Sequence, residues 1–486
     1  MHSTANAPAR MSKYRWTITG LLFFATTINY LDRQVLSLTW KDFIVPEFHW
    51  SNSDYGTITG VFSIVYAIGM LFAGRFVDWL DTKKGFLWAI FIWSLGAVLH
   101  AFCGIVTAGW LTGTWTMSFE GARELISGVE DVSKVIMISV NLFIFARIVL
   151  AIGEAGNFPA AIKTTAEYFP KKDRAFSTSI WNAGATVGAL LAPLSIPFIA
   201  KAWGWEMAFI VIGALGFVWM GFWIFMYHKP DKHPGVNKAE LDYIHQDDLD
   251  ESGSALPGKP VAAKKLGYWK ALQYKQTWSF AVGKFMTDGV WWFFLFWTPA
   301  YLSAVYGLDS TESAPHIFTL YLISMLSIYG GYLPTWFVEK KGMHPYAGRM
   351  RSMLIFAFFP LLALLAQPLG SYSVWLPVII IGIAAAAHQS WSANIFTTVS
   401  DMFPKSAVAT IVGIGGMAGG VGAFLINKGS GVLFDFAEKS GMRFMGFQGI
   451  EAGYFIIFSI AAFAYLIGWL IMKSLVPVYK PIRLDD

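Results

Sequence analysis

The sequence predicts an all-α membrane protein: twelve transmembrane helices in two six-helix bundles with pseudo-two-fold symmetry. Three observations predict it. The 486 residues are 55% hydrophobic, 17% aromatic and 14% charged, with mean hydropathy +0.51, whereas a soluble domain has about 25% charged residues. Apolar runs of about 20 residues, the length that crosses a ~30 Å hydrocarbon core, fall six and six on either side of a polar stretch. Segments of the first half also recur in the second.

In chain order the runs cover roughly 14 to 36, 56 to 80, 86 to 107, 136 to 162, 176 to 199 and 206 to 227. After the polar stretch they cover 277 to 303, 315 to 338, 352 to 367, 374 to 400, 409 to 435 and 451 to 474. The expected units are a bundle over 1–227, a cytoplasmic linker over 228–276, and a second bundle with a short tail over 277–486. The linker carries Pro230, Pro234, Pro257 and Pro260, mixed charge, and a short helix expected from Asn237 to Asp250. A second polar insertion, Thr112 to Lys134, carries Glu120, Glu124, Glu130 and Asp131 and is read as a small external cap.

Lys and Arg collect in alternate loops: Arg75, Lys83 and Lys84; Lys171, Lys172 and Arg174; Lys340, Lys341, Arg349 and Arg351; and the tail residues Lys473, Lys480 and Arg483. Because cytoplasmic loops carry the excess of positive charge, both termini are expected in the cytoplasm of a cell bounded by a bacterial inner membrane. The net charge of +5 is therefore a topology signal and not a nucleic-acid footprint. The polar start, Met1 to Lys13, has no cleavable signal pattern. A single cysteine, Cys103, excludes a disulfide framework.

The repeats fix the relation between halves. Gly74-Arg-Phe-Val-Asp78-Trp79 leads to Lys83-Lys84-Gly85, and Gly331-Tyr-Leu-Pro-Thr335-Trp336 leads to Lys340-Lys341-Gly342, with the outer glycines eleven apart in both. Glu167-Tyr-Phe-Pro-Lys171 is likewise echoed by Asp401-Met-Phe-Pro-Lys405. Repeated halves imply bundles that rock about a site at their interface, which is alternating access.

Into the first run the sequence places Asp32 and Arg33 side by side. Charges at bilayer depth cost roughly 2.5 to 3.5 kcal/mol each, so they face a bundle interior or a water-filled cavity and mark a substrate or proton pathway. In the fourth run Arg147 and Glu154 stand seven apart, within about 20° of each other and about 10 Å apart along a helix. One face therefore carries both. The segment from His388 to Asn394 is the densest polar cluster of the second half, and His388, Trp391 and Ser392 share a face by their spacing. Lys284 and Asp288 stand at i and i+4, which suits an internal ion pair. No phosphate-binding G-x-x-x-x-G-K-[ST], H-E-x-x-H, paired-cysteine or nucleophile-elbow pattern is present, so neither nucleotide drive nor enzymatic chemistry is expected.

The chain resembles the major facilitator superfamily over nearly its whole length. Gly74, Asp78, Lys83 and Lys84 match that superfamily's loop between helices 2 and 3, with Asp81 where the family has a second glycine. Asn29-Tyr30-Leu31-Asp32-Arg33, Arg147 with Gly153-Glu154-Ala155-Gly156 and Pro159, and Thr287 to Trp292 with Trp297-Thr298-Pro299 resemble the anion:cation symporters, and among them the hexuronate transporters. The resemblance implies that helix 4 packs its charged face on helix 1, and that Tyr30 and Tyr66 present hydroxyls to the cavity.

On this reading Arg33, with Arg147, holds the substrate carboxylate, because a guanidinium offers a planar fork that stays charged. Asp32 and Glu154 carry the coupling proton: burial favours a neutral carboxyl, a nearby guanidinium favours an ionised one, and a site balanced between them switches with conformation. The structural alternative is two ion pairs that merely tie helices 1 and 4 together. Asn182, His388, Trp391, Ser392 and Asn394 are candidate partners for sugar hydroxyls, each with interhelical packing as its alternative. Trp291, Trp292 and Trp297 read as cavity wall. The expected activity is proton-coupled import of an organic monoanion, a hexuronate such as galacturonate or glucuronate; an aldonate, aldarate or aromatic carboxylate, or a transporter-like receptor, is the alternative. The expected partners are the sugar-acid anion and the lipid bilayer, with no nucleic acid, no nucleotide, no metal, no cofactor beyond the proton, and a monomeric state.

Overall fold

The structure, a computed structural model, describes residues 11–246 and 266–482. Twelve long helices follow one another: α1 (Tyr14–Thr39), α2 (Asn52–Leu80), α3 (Thr82–Thr112), α4 (Val132–Tyr168), α5 (Lys171–Trp203), α6 (Trp205–Met226), α7 (Lys275–Tyr306), α8 (Ser310–Lys341), α9 (Pro345–Gly370), α10 (Trp375–Met402), α11 (Lys405–Ser440) and α12 (Ile450–Leu475). Among the described residues ten of these are long and apolar enough to cross a membrane. The other two, α1 and α7, are the helices that carry Asp32 with Arg33 and Lys284 with Asp288. Charge placed inside a span lowers its hydropathy.

The repeat seen in the sequence extends to the helix ends. α2 and α8 each begin with a reciprocal capping box, Ser51 with Asp54 and Asp309 with Glu312, which satisfies two orphan amide groups at each start. The echoed acids also serve equivalent ends. Glu167 accepts from Thr82 at the start of α3 and from Tyr227, and Asp401 pairs with Arg349 near the start of α9 at 3.1 Å. Within the halves α1 packs on α5 as α7 packs on α11. Small residues let these backbones meet: a Cβ at Gly184 or Gly188 would collide with Phe23 or Thr27 of α1.

Between α2 and α3 only Asp81 intervenes, and it holds φ +69° and ψ 153°. That region is nearly restricted to glycine. The tight turn is therefore made without the second glycine, and the Asp81 carboxylate meets Lys229 at 3.0 Å.

The insertion after α3 packs on the bundle. Its short helix, Phe119–Ser127, buries Ala122 and Ile126, and Arg123 reaches Glu47 at 3.2 Å and Glu206 at 2.5 Å. The linker helix is shorter than the expected Asn237 to Asp250: it runs Lys238–Ile244, with the Asn237 side chain accepting from Glu240 N at 3.0 Å. Glu240 is fully buried and takes the Tyr14 and Arg15 amides and the Arg15 guanidinium, which ties this part of the linker to α1. Pro257, Pro260, residues 247–250 of that expected helix and Arg483 lie outside the described residues.

Tyr14 and Leu475 stand at the same end of the bundle. Among the described residues, the hydrogen bonds and ion pairs that cross from α1–α6 to α7–α12 gather toward the opposite end. Asp435 of α11 accepts from the Asn52 amide, the Asn52 side chain and the Ser53 amide at 3.0, 3.0 and 2.8 Å, so a carboxylate seats on the N-terminus of α2. Lys428 reaches Ser53 and Thr57, Lys201 reaches Asp309 and Thr311, and Asp42 accepts from the Ser310 amide. Tyr55 donates to the Phe296 carbonyl at 2.7 Å.

Candidate functional site

α1 and α4 meet as the sequence implies. Glycine at position 153 allows α4 to lie on the Trp93 backbone of α3, and α4 then turns at Ala155 and Gly156 before resuming at Asn157. Glu154, the last residue before that turn, faces Arg33. The Arg33 Nε and Nη2 donate to the same oxygen, Glu154 Oε2, at 2.9 and 2.7 Å, with both residues buried.

Four aromatic rings surround the Arg33 guanidinium: Tyr66 at 4.7 Å, Tyr30 at 4.9 Å, Trp292 at 5.1 Å and Phe62 at 5.8 Å from the ring centroids. A ring face offers a cation about 0.5 to 2 kcal/mol, most when the site is dry. Tyr30 and Tyr66 thus contribute their rings to Arg33. Trp292, read from the sequence as wall, comes from α7 and brings the second half to the charge of the first. Phe62 was not singled out; the signal was its position four residues before Tyr66 on one face of α2.

The second ion pair of the structural alternative does not form. Asp32 and Arg147 are buried, yet among the described residues both Asp32 oxygens and all three Arg147 side-chain nitrogens lack a protein hydrogen-bond partner, as do Glu154 Oε1 and both polar atoms of Asn29 and Asn157. The Arg147 guanidinium lies 5.3 Å from the Phe62 ring centroid. A column of charge runs along α1 and α4 with one direct ion pair in it, so two locked pairs are not what joins these helices.

In the second half His388 is buried, its Nδ1 2.7 Å from the Tyr465 hydroxyl and its ring stacked on Trp291 at 5.3 Å. Trp391 is buried edge-on to Tyr465, with its indole N–H unpartnered. Asn394 donates to the Gly330 and Ser390 carbonyls, leaving its side-chain oxygen uncommitted. Ser392 is half-buried, and Asn182 is exposed; neither meets the charged column through a hydrogen bond. Lys284 and Asp288 form the expected ion pair at 2.8 Å, with Lys284 over Phe396 at 4.3 Å. Adjacent α7 residues therefore connect the clusters: Trp292 faces Arg33 and Trp291 faces His388.

The loop residues form a separate network. Asp78 pairs with Lys163 at 2.9 Å, Lys83 donates to the Ile224 carbonyl at 2.7 Å, Lys84 is exposed, and Gly74 has open space around it. This network joins α2, α3, α4 and α6 at the termini end.

A family model described as the Major Facilitator Superfamily matches residues 22–426. The chain belongs to the Major Facilitator Superfamily. It is a transporter by family, not an enzyme, and an integral membrane protein. The transporter is similar to the hexuronate transporter of Escherichia coli (strain K12), 27% identical over 426 residues, which cover 87% of this chain and 88% of that protein. It is similar also to the galacturonate transporter of Dickeya chrysanthemi, 28% identical over 324 residues, 66% of this chain and 82% of the relative. Among solved structures, a bacterial homologue of the human lysosomal transporter Spinster, inward-facing and unoccupied, matches with TM-score 0.68 and 18% identity over 95% of this chain and 98% of that one. That likeness establishes the fold.

Proposed function

We propose that the protein imports an organic monoanion, a hexuronate such as galacturonate or glucuronate, together with a proton by alternating access. The observation that carries this reading is the occupant of the Arg33 site: a carboxylate of the protein itself, Glu154, seated on a guanidinium ringed by four aromatic faces. A substrate carboxylate presents the same chemistry. Protonation of Glu154 removes the charge that holds Arg33 and frees the fork for the substrate, so proton and anion enter together. Asp32, beside Arg33 and without a hydrogen-bond partner, is the second proton carrier.

Trp292 covers the carboxylate site with a ring suited to the C–H face of a sugar. The neighbouring Trp291, His388 and Tyr465 supply a stacking surface and polar atoms for hydroxyls; Asn182, Ser392 and Asn394 remain candidates in this reading. The choice of hexuronate is supported by the two relatives named as hexuronate and galacturonate transporters. Inward direction is supported by the coupling ion, since a proton runs energetically downhill into the cell.

A panel of labelled acids offered to proteoliposomes under an imposed pH gradient, inside alkaline, tests the reading. Accumulation of galacturonate or glucuronate that collapses with the gradient is the expected result. Preference for a neutral sugar, or accumulation indifferent to the gradient, contradicts it.

A further inference from the structure

His100 of α3 lies beside the charged column and has no part in the function proposed above. It is fully buried, stacked on Phe209 at 4.8 Å with the planes 1° apart, and set edge-on to Phe143. Its Nδ1 lies 2.7 Å from the Gly96 carbonyl oxygen. A carbonyl oxygen only accepts, so Nδ1 carries the hydrogen and Nε2 presents a lone pair. Nε2 is buried without a protein partner. Phe143, which His100 meets edge-on, stands one helical turn before Arg147 on the same face of α4, and the Arg147 guanidinium there carries five N–H donors with no protein acceptor among the described residues. Asp32 supplies two buried oxygens with no donor.

Arg147 has two ways to satisfy its donors. It can close directly on Asp32, or it can share ordered water with the acceptors around it, since water bridges buried polar groups that do not meet. In the structure it does not close on Asp32. The charged groups facing Asp32 are Arg147 and Glu154 of α4, with Arg33 adjacent on α1; α2 adds Tyr55 near Arg147, and α3 adds His100. Glu154 is already engaged by Arg33. His100 Nε2 is thus the neutral acceptor that competes with Asp32 for the Arg147 guanidinium.

We infer that His100 is a positioning residue: through bridging water its Nε2 holds Arg147 away from Asp32, which leaves Asp32 able to take up a proton. The inference rests on the proposed function for its purpose, while its geometry stands apart from it. Without the acceptor, Arg147 turns to Asp32 and the pair locks as two opposite charges.

Carbodiimide labelling in proteoliposomes reads this directly, because the reagent modifies protonated carboxyls and mass spectrometry locates the adduct. The wild-type protein is expected to label at Asp32. His100→Phe, which keeps the stack on Phe209, is expected to lose at least about tenfold of that labelling, equivalent to one unit in proton affinity, and His100→Gln, which restores an acceptor, to recover it. In an Arg147→Gln background His100→Phe is expected to have no effect, which separates positioning from misfolding. Equal Asp32 labelling in wild type and His100→Phe overturns the inference, and so does an unlabelled Asp32 in wild type. Uptake measured in the same vesicles keeps the two readings distinct: the labelling pattern without gradient-driven uptake removes the proposed function and leaves the role of His100 standing.

Discussion

Arg33 gives two nitrogens to one oxygen of Glu154 and leaves the other oxygen of that carboxylate without a protein partner. A lone ion pair built only for stability would be expected to engage both oxygens, since buried charge is compensated by complete pairing. This one is held by a single oxygen beside an unfilled acceptor, and its cation rests among aromatic rings from both halves. On the proposed function, it is a contact exchanged for the carboxylate of the substrate.

The ring contributed by α7 sets the affinity of that exchange. Trp292→Ala removes a cation–π contact of about 0.5 to 2 kcal/mol, so the half-saturating substrate concentration in counterflow is expected to rise about 2- to 30-fold. Trp292→Phe should fall between. An unchanged value for Trp292→Ala would show that the ring only fills space.

Arg33→Lys keeps the charge and loses the fork. A point ammonium cannot make the two parallel bonds or lie flat on the rings, so transport is expected to fall at least about tenfold, with the protein still extracted as a folded monodisperse species. Wild-type rates from the lysine variant would mean that charge alone suffices.

At the end opposite the termini, Asp435 holds the start of α2 with three hydrogen bonds. Asp435→Asn keeps the shape and removes the charge, weakening this contact between the halves by about 1 to 2 kcal/mol, or about 5- to 30-fold in population. Because Cys103 is buried and is the only cysteine, Cys103→Ala gives a background in which Thr57→Cys reports opening. Thiol labelling at position 57 should be faster with Asp435→Asn. Equal labelling rates would show that Asp435 does not hold the two halves together at this end.

The turn at Asp81 offers a test of strain against pairing. Its backbone conformation costs of order 1 to 3 kcal/mol for a non-glycine residue, while a half-exposed pair such as Asp81 with Lys229 contributes about 0 to 1 kcal/mol. Strain outweighs the pair, so Asp81→Gly should melt above wild type and Asp81→Ala below it. The reverse order would show the ion pair to be the larger effect.

Beneath the short helix Phe119–Ser127, burial pushes the Glu47 carboxyl from 4.5 up to about 7, against the Trp205 and Arg123 hydrogen bonds. A carboxyl raised on folding stabilises fully below its unfolded value, and this contribution is lost as the pH rises through its folded value. The thermal midpoint of wild type relative to Glu47→Gln should therefore fall between about pH 4.5 and pH 7. A flat difference across that window would place the buried group elsewhere.

Much of this was legible in the chain. Run lengths and the paired loop segments implied twelve helices in two halves, the seven-residue spacing of Arg147 and Glu154 put both on one face of α4, and the family resemblance turned that face toward α1. Distances across helices were not legible. Spacing cannot say that Glu154 reaches Arg33 while Arg147 stops short of Asp32, because that depends on how closely Gly153 lets α4 approach α3. Nor could it show Trp292 crossing to the first half, since one tryptophan among several carries no direction. His100 was passed over for the same reason: a single histidine in an apolar run has no pattern to mark it.

The central claim is that one carboxylate, Glu154, exchanges both the proton and its place on Arg33. Glu154→Gln in proteoliposomes tests it, with solute counterflow and pH-gradient-driven accumulation of the same labelled hexuronate measured side by side. The account predicts counterflow close to wild type and no uphill accumulation. Full gradient-driven accumulation by Glu154→Gln would contradict it.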